Sequence, residues 1–253
     1  MGRELTIAET LFSYYQTLMA YYPANSILGV FLFGSQNYNF DTPTSDIDAK
    51  AIYIPTYEEM VNLKEPVSKV YGTEYGNIEV KDIRLMWKMW KKQNINFVEI
   101  LFTDYYLTNK NYTNLWECIT YGREDIARYN PLYTVNSIVG QCRGTLAYKE
   151  ITGKKVANVA RLIDFLEKYL EGKPYKKCIT VDEDFKKNWL HIKQKNESFT
   201  KEDTSALVQD KLTNLVVKGE KLYKDRKIDN SSHDAIMTQW ILNAIELRKK
   251  LEN

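Results

Sequence analysis

Histidine and cysteine are scarce in this chain of 253 residues, which contains two His and three Cys. The cysteines are odd in number and widely spaced, which argues against a disulfide framework and against a zinc site built on thiolates. His191 and His233 have no spacing that brings them together on one helix face, so histidine metal sites and histidine-based triads are poor hypotheses. The few thiols are typical of a protein from a reducing compartment.

Long hydrophobic runs are also missing. No apolar stretch reaches the roughly 18 residues expected of a membrane-spanning helix, and the first residues lack the apolar region of a signal peptide. The sequence therefore predicts a soluble, unexported, cytoplasmic protein without a membrane partner. Hydrophobic residues make up 44% of the chain, which is enough for a globular core.

One apolar run, at residues 28–33, contains β-branched and aromatic residues and stops at Gly34, as a buried strand does. Gly34 allows the backbone to approach a ligand closely, and Ser35 offers both a hydroxyl and an N–H group. The turn that begins at Gly34 can therefore present hydrogen-bond donors to a phosphate.

Two aspartates, Asp46 and Asp48, follow a polar loop and lead into a second apolar run. Side chains two apart on a strand share a face, so both carboxylates are predicted to leave the sheet together. They repel each other unless a hard divalent cation such as Mg²⁺ lies between them. Taken alone, such a pair is more often a solvated strand face or a turn cap. The phosphate-binding turn just before it favours phosphoryl chemistry instead.

The segment FGSQNYNFDTPTSDIDAKAIYIP resembles the signature of nucleotidyltransferases of the DNA polymerase β superfamily. More narrowly, it is similar to the bacterial and phage branch that includes the RNA-repair-associated polymerase β family. In that branch a glycine is expected where this chain has Asn39, a residue that also tolerates left-handed backbone angles. Residues 82–84 (DIR) and 94–101 (NINFVEIL) resemble two further landmarks of the family, with Ile95 in place of a proline. The resemblance covers roughly the first hundred residues.

The resemblance implies an α+β fold, with a nucleotidyltransferase-type mixed sheet and flanking helices followed by a helical C-terminal domain. It implies that Asp46 and Asp48 hold two Mg²⁺ ions, or Mn²⁺ in their place. Gly34 and Ser35 would bind the β and γ phosphates of a nucleoside triphosphate. The implied reaction transfers a nucleoside monophosphate to an acceptor hydroxyl and releases pyrophosphate.

The superfamily also needs a third carboxylate, on a neighbouring strand, to bind metal and accept the proton of the acceptor hydroxyl. Glu79 is the preferred candidate, because Ile78-Glu79-Val80 has an acid between two hydrophobic residues. Asp82 remains the alternative, although its position before an apolar periodic segment also makes it a natural helix N-cap.

Pro131 marks the predicted seam between a catalytic core at residues 1–130 and a helical domain at residues 131–253. Before the seam, the patterns predict helices at 4–20, 56–63 and 82–93, and strands at 67–71 and 76–81. After it, they predict helices at about 132–151, 154–171, 183–195, 201–226 and 231–251.

One of these helices carries Lys154, Asn158 and Arg161 at i, i+4 and i+7, a single polar stripe. A solvated surface stripe explains this pattern equally well. The similar family has a Lys-x-x-x-His-x-x-Arg element on such a helix, which implies that Lys154 and Arg161 clamp the triphosphate. Asn158 stands in place of the histidine.

Charge is distributed unevenly, although the net charge is only +2. Residues 1–150 carry 14 Lys and Arg against 17 Asp and Glu, and the remainder carries 21 against 16. An acidic half facing a basic half suits a ligand made of phosphates, although scattered solvated lysines explain the count equally well. By resemblance, we expect the acceptor to be an RNA end that is extended without a template during RNA repair. Transfer to a protein or small molecule, and a non-catalytic nucleotide-binding module, are the alternatives; the sequence does not specify the preferred base or the oligomeric state.

Overall fold

The computed structural model of the chain describes residues 6–195, 198–226 and 228–252, without the side chains of residues 201–209. The strands in these ranges are β1 Ile27–Phe33, β2 Asp48–Tyr53, β3 Ser68–Gly72, β4 Asn77–Asp82, β5 Tyr106–Thr108, β6 Glu150–Thr152 and β7 Ser198–Thr200. The helices are α1 Ile7–Met19, α2 Tyr57–Val61, α3 Ile83–Lys91, α4 Ile95–Val98, α5 Thr113–Tyr121, α6 Arg123–Ala127, α7 Pro131–Leu146, α8 Gly153–Leu170, α9 Tyr175–Ile179, α10 Glu183–Gln194, α11 Lys201–Tyr223 and α12 Ser231–Glu252.

The fold is mixed α+β, with a five-stranded mixed sheet and a helical C-terminal region. The strand order is β3-β4-β2-β1-β5. Strand β2 is antiparallel to β1 but parallel to β4, and β6 and β7 form a separate two-stranded sheet. None of the helices in the described ranges combines the length and the apolarity that crossing a membrane requires.

The elements predicted from periodicity are confirmed, with ends that differ by a few residues. The helix predicted at 132–151 is too long, because α7 ends at Leu146 and residues 150 and 151 belong to β6. Helix α1 begins after a capping box between Thr6 and Glu9, and the predicted start at residue 4 lies outside the described residues. The two strands predicted at 67–71 and 76–81 are β3 and β4, which pair with each other in antiparallel orientation. Asp82 caps α3, because its carboxylate accepts a hydrogen bond from the backbone N–H of Arg84 at 2.9 Å. The short elements α4, α5, α6, α9, β5, β6 and β7 were not predicted.

The two faces of the sheet bury different hydrophobic clusters. Leu11, Tyr14 and Leu18 of α1 cover one face. The other face packs against α3 and α4, and its cluster continues without a break into α7, α8 and α12. The seam predicted at Pro131 coincides with the first residue of α7. The division into two domains there stays a prediction, since apolar contacts run across it.

A buried glutamine links the helices on either side of Pro131. Gln93 is 1% exposed, and its amide N–H groups donate to the carbonyls of Trp90 at 2.7 Å and Ile126 at 2.8 Å. Its amide oxygen accepts a hydrogen bond from the Thr134 hydroxyl on α7 at 3.0 Å. Removing this side chain would break three buried hydrogen bonds at once and leave an unfilled space among the helices, and both losses are costly.

We therefore expect Gln93→Ala to lower the free energy of unfolding by about 2–4 kcal/mol. Urea unfolding followed by circular dichroism would measure this loss. Gln16→Ala, on the exposed side of α1, is the matched control and should change stability by about 0.5 kcal/mol or less. Equal effects of the two substitutions would contradict the structural role given to Gln93.

Candidate active site

A cavity of about 530 Å³ opens where β1 ends and β2 begins, facing helices α8 and α10. Six of the residues predicted from the sequence line this cavity: Gly34, Ser35, Asp46, Asp48, Lys154 and Arg161. The predicted site residue Glu79 is not among the lining residues. Segments separated by more than a hundred residues therefore meet at one place.

Gly34 begins the turn that forms one side of the cavity. Its φ of 86° lies in the left-handed region, where glycine is favoured. The turn is closed by the N–H of Asn37, which donates to the Gly34 carbonyl at 2.9 Å, and the N–H of Phe40, which donates to the Ser35 carbonyl at 3.0 Å. Asn39 has a φ of 59°, as expected from its place where the similar family has glycine.

The two aspartates leave the sheet at the start of β2. Strand β2 begins at Asp48, so Asp46 lies in the preceding loop rather than on the strand, and its side chain is exposed. Ile47 is held between them, because its N–H donates to the Tyr75 carbonyl and its own carbonyl accepts from the Tyr14 hydroxyl, both at 2.8 Å. Oδ1 of Asp48 accepts from the Asn77 N–H at 2.9 Å. The backbone between the two aspartates is thus held in place, and the Asn77 N–H orients the Asp48 carboxylate.

The predicted third carboxylate, Glu79, lies opposite Lys50 in the β2–β4 pairing. It forms ion pairs with Lys50 and, at 3.1 Å, with Lys81. Burial alone would raise the pKa of Glu79, but its hydrogen bond to Lys50 and the charges of both lysines outweigh burial and lower it. Among the described residues no group of three acidic, His or Cys side chains is arranged to hold a metal ion. The structure therefore brings Asp46 and Asp48 together but leaves Glu79 with the lysines, and its role as a metal ligand stays a prediction.

Asp82, the alternative, lies at the far end of β4, opposite Tyr53 rather than Asp48. Its buried carboxylate caps α3 and accepts two hydrogen bonds from the Arg84 side chain, at 2.8 and 2.7 Å. Its carboxylate oxygens are therefore engaged with α3.

Cationic side chains of α8 and α10 form the wall opposite the aspartates. Lys154 and Lys155 lie in the first turn of α8, and Lys193 lies near the end of α10. Gly153 allows the two helices to approach this closely, since a Cβ there would lie 2.1 Å from the Ile192 carbonyl oxygen. Burial, together with the neighbouring charges of Lys154 and Arg161, lowers the pKa of Lys193 to about 8.

Arg161 is 4% exposed, and its guanidinium lies 4.0 Å from the centre of the Tyr38 ring. Nε and Nη2 both donate to Oδ1 of Asn158, at 3.2 and 3.1 Å. Nη1 is buried and has no hydrogen-bond partner in the described part of the chain. The stripe of Lys154, Asn158 and Arg161 therefore faces the cavity, and Arg161 has one donor to offer to a ligand.

Sequence reasoning missed Glu99, which lies at the bottom of the cavity. Its side chain is 2% exposed, and Oε1 accepts from the Gly34 N–H at 3.4 Å. Burial raises the pKa of Glu99 to about 7, although the charges of Arg161 and Lys50 oppose the rise. Glu99 belongs to the NINFVEIL segment that resembles a landmark of the family, but no role follows from that pattern alone. Lys155 and Lys193 were also missed.

Comparisons with protein-family models and with curated proteins gave no match to this chain.

The buried carboxyl of Glu99 should make stability depend on pH. Its pKa is raised from 4.5 to about 7 on folding, so ionisation is unfavourable in the folded state. Below the unfolded pKa the group is protonated in both states and has no effect. As pH rises from 4.5 to the folded value of about 7, the protein should lose up to about 3 kcal/mol of unfolding free energy relative to Glu99→Gln.

Urea unfolding of the native protein and the Glu99→Gln variant at several pH values between about 5 and 8 would measure this difference. Glu117→Gln, which changes an exposed glutamate on α5, is the control and should give a difference that is independent of pH. A constant difference for Glu99→Gln would contradict the expectation.

Proposed function

We propose that this chain is a nucleotidyltransferase of the DNA polymerase β superfamily, which transfers a nucleoside monophosphate from a nucleoside triphosphate to an acceptor hydroxyl. One observation carries the proposal. The carboxylates of Asp46 and Asp48 and the cations of α8 and α10 line one cavity, although they are distant in the sequence. The resemblance requires these aspartates and cations to lie close together. If the cations were only a solvated surface stripe, they would not need to face the aspartates.

The distribution of charge suits a triphosphate that carries a divalent cation. Lys154, Lys155, Arg161 and Lys193 on one side can balance the phosphates, while the two aspartates on the other side face the cation. Carboxylates together with phosphate oxygens are the ligands that Mg²⁺ commonly takes in proteins. Asp46 and Asp48 therefore fit this ion, and they would hold it. When bound, Mg²⁺ would neutralise charge that develops on the transferred phosphoryl group.

The residues of the chain bind and orient the triphosphate in this proposal. The Gly34–Ser35 turn, through the N–H and hydroxyl of Ser35, and the cations of α8 and α10 bind its β and γ phosphates. The unpaired Nη1 of Arg161 donates to a phosphate oxygen. These contacts align the α phosphorus with the acceptor, and alignment together with charge stabilisation supplies most of the rate in phosphoryl transfer.

In the reaction, the acceptor oxygen forms a bond to the α phosphorus as the bond from that phosphorus to the bridging oxygen breaks. Pyrophosphate leaves with the bonding electron pair. The hydroxyl proton passes to a carboxylate, for which Glu79 is the candidate by resemblance. Glu79 and Asp48 lie on the same face of neighbouring strands, so Glu79 is on the side of the sheet that this role requires.

A second groove favours an RNA end as the acceptor. It has a volume of about 510 Å³ and shares Ser45, Thr152, Lys154 and Lys193 with the cavity. Beyond the shared residues it is lined by Gln194, Lys195 and the hydroxyl-rich segment 42–44. Lysines and hydroxyls bind the phosphates and sugars of a nucleic-acid strand, whereas a small acceptor needs no such extension.

The transferase reaction is testable with each of the four α-³²P-labelled nucleoside triphosphates, Mg²⁺, and tRNA or a short RNA as acceptor. We expect label on the RNA with at least one of the nucleotides. The double substitution Asp46→Ala and Asp48→Ala should lower the rate by about 1,000-fold or more, while Asp184→Ala, on the exposed side of α10, should leave it unchanged.

Label that appears only on protein or small molecules in a cell extract would contradict RNA as the acceptor but would still support nucleotidyl transfer as the reaction. Incorporation that persists in the double variant, or no incorporation anywhere, would contradict the proposed reaction.

Lys193 should set the alkaline limit of the reaction. Its pKa is lowered to about 8, so the free enzyme has this cation below that pH and loses it above. We expect kcat/KM for the nucleoside triphosphate to fall as pH rises through about 8. Lys193→Arg should move this fall to higher pH, because a guanidinium stays protonated.

Steady-state rates across this pH range would test the assignment. Lys187→Arg, on the exposed face of the same helix, should keep the native profile. An unchanged fall in Lys193→Arg would assign it to another group.

A further inference from the structure

A further basic cavity, distinct from the two described above and about 530 Å³ in volume, lies between helix α3 and the start of α7. None of its lining residues lines the candidate active site. Helix α3 follows the end of β4 at Asp82, while Asp48 lies beside Asn77 at the start of β4. This α3–α7 groove therefore lies near the end of β4, whereas the candidate active site lies near its start. The proposed reaction does not use the groove.

Four cations line the groove: Arg84, Lys88 and Lys91 of α3, and Lys92, which caps the C-terminal end of this helix. Arg84 and Lys91 are balanced by acids, through ion pairs with Asp82 at 2.7 Å and Asp234 at 3.0 Å. Lys88 and Lys92 are exposed, and within the described ranges neither has an acidic partner. Like charges four residues apart on a helix repel each other. An anion in the groove would remove that cost.

Aromatic rings lie among these cations. Trp87 and Tyr129 pack edge to face with ring centres 5.2 Å apart, and the Tyr129 hydroxyl donates to Asp234 at 2.9 Å. Both rings are nearly buried, so they form a fixed apolar wall. Tyr133, in the first turn of α7, is 50% exposed and also lines the groove. A half-exposed flat ring suits a base, because every base presents a stacking face.

We infer that the α3–α7 groove binds a single-stranded nucleic acid, with backbone phosphates on Lys88 and Lys92 and a base on Tyr133. From Arg84 to Lys92 the cations extend for about 12 Å along the helix axis. That length corresponds to about three nucleotides of a stacked strand, more than a mononucleotide occupies. The binding requires no chemistry, so it does not depend on the proposed transferase reaction.

Fluorescence anisotropy with a short labelled single-stranded RNA would test this inference on the full chain. Lys88→Glu combined with Lys92→Glu should weaken binding about tenfold or more, and should reduce the slope of log K against log[salt] by about 1.4, as expected for two lost phosphate contacts. Lys69→Glu combined with Lys110→Glu makes the same change in net charge at exposed positions elsewhere. This control should keep the native slope.

The stacking contact has its own test. Tyr133→Ala should weaken RNA binding by about fivefold or more, while Tyr133→Phe should keep native affinity. All variants should retain the native circular dichroism spectrum and native affinity for Mg²⁺–nucleoside triphosphate. Equal affinities of the lysine variant and its control would overturn the inference. So would a competition experiment in which a mononucleotide, at equal nucleotide concentration, displaces the RNA from the native protein but not from the lysine variant. Failure of the transferase assay would leave these binding differences unaffected.

Discussion

The buried ammonium group of Lys50 is the constraint on which the architecture of the candidate site depends. Lys50 is 1% exposed in the middle of β2, where its Nζ lies 3.9 Å from the centre of the Phe33 ring and 4.0 Å from that of Phe97. A buried charge needs a partner, and Glu79 supplies it from β4. The pairing of β2 with β4 thus joins two strands through charge as well as through backbone hydrogen bonds. The same pairing brings Asn77 to the carboxylate of Asp48.

The acidic residues near the cavity differ in their partners, and the pairing of Glu79 with Lys50 is one cause of this difference. Two acids, Asp46 and Asp48, line the cavity with no lysine bound to them in the described part of the chain. Glu79 neutralises Lys50, and Glu99 is withdrawn from water beneath the Gly34 turn. The pKa of Glu79 is therefore lowered and that of Glu99 is raised, and the cause is what each carboxyl contacts. A site that handles both cations and phosphates needs such a separation of roles.

The local parts of the site could be predicted from the sequence, because short stretches encode them. The strand before Gly34, the left-handed Asn39 and the cap at Asp82 each follow from a few consecutive residues. Glu99 could not be assigned a role, since its contact with Gly34 spans 65 positions and depends on how α4 packs beneath β1. The engagement of Glu79 with Lys50 could not be predicted either. It depends on the parallel register of β2 and β4, and an alternating pattern fixes the faces of a strand but not its neighbour.

The close approach at Gly153 has a consequence for how the site accommodates a ligand. The start of α8 rests against the last turn of α10 with no space for a further carbon atom, so the two helices cannot slide past each other without separating. The backbone at Lys154 and at Lys193 is consequently fixed in relative position, whatever their side chains do. Any ligand that bridges the two helices would therefore lose less conformational entropy on binding than it would between helices free to move. A single missing methyl group thus makes this wall of the cavity rigid.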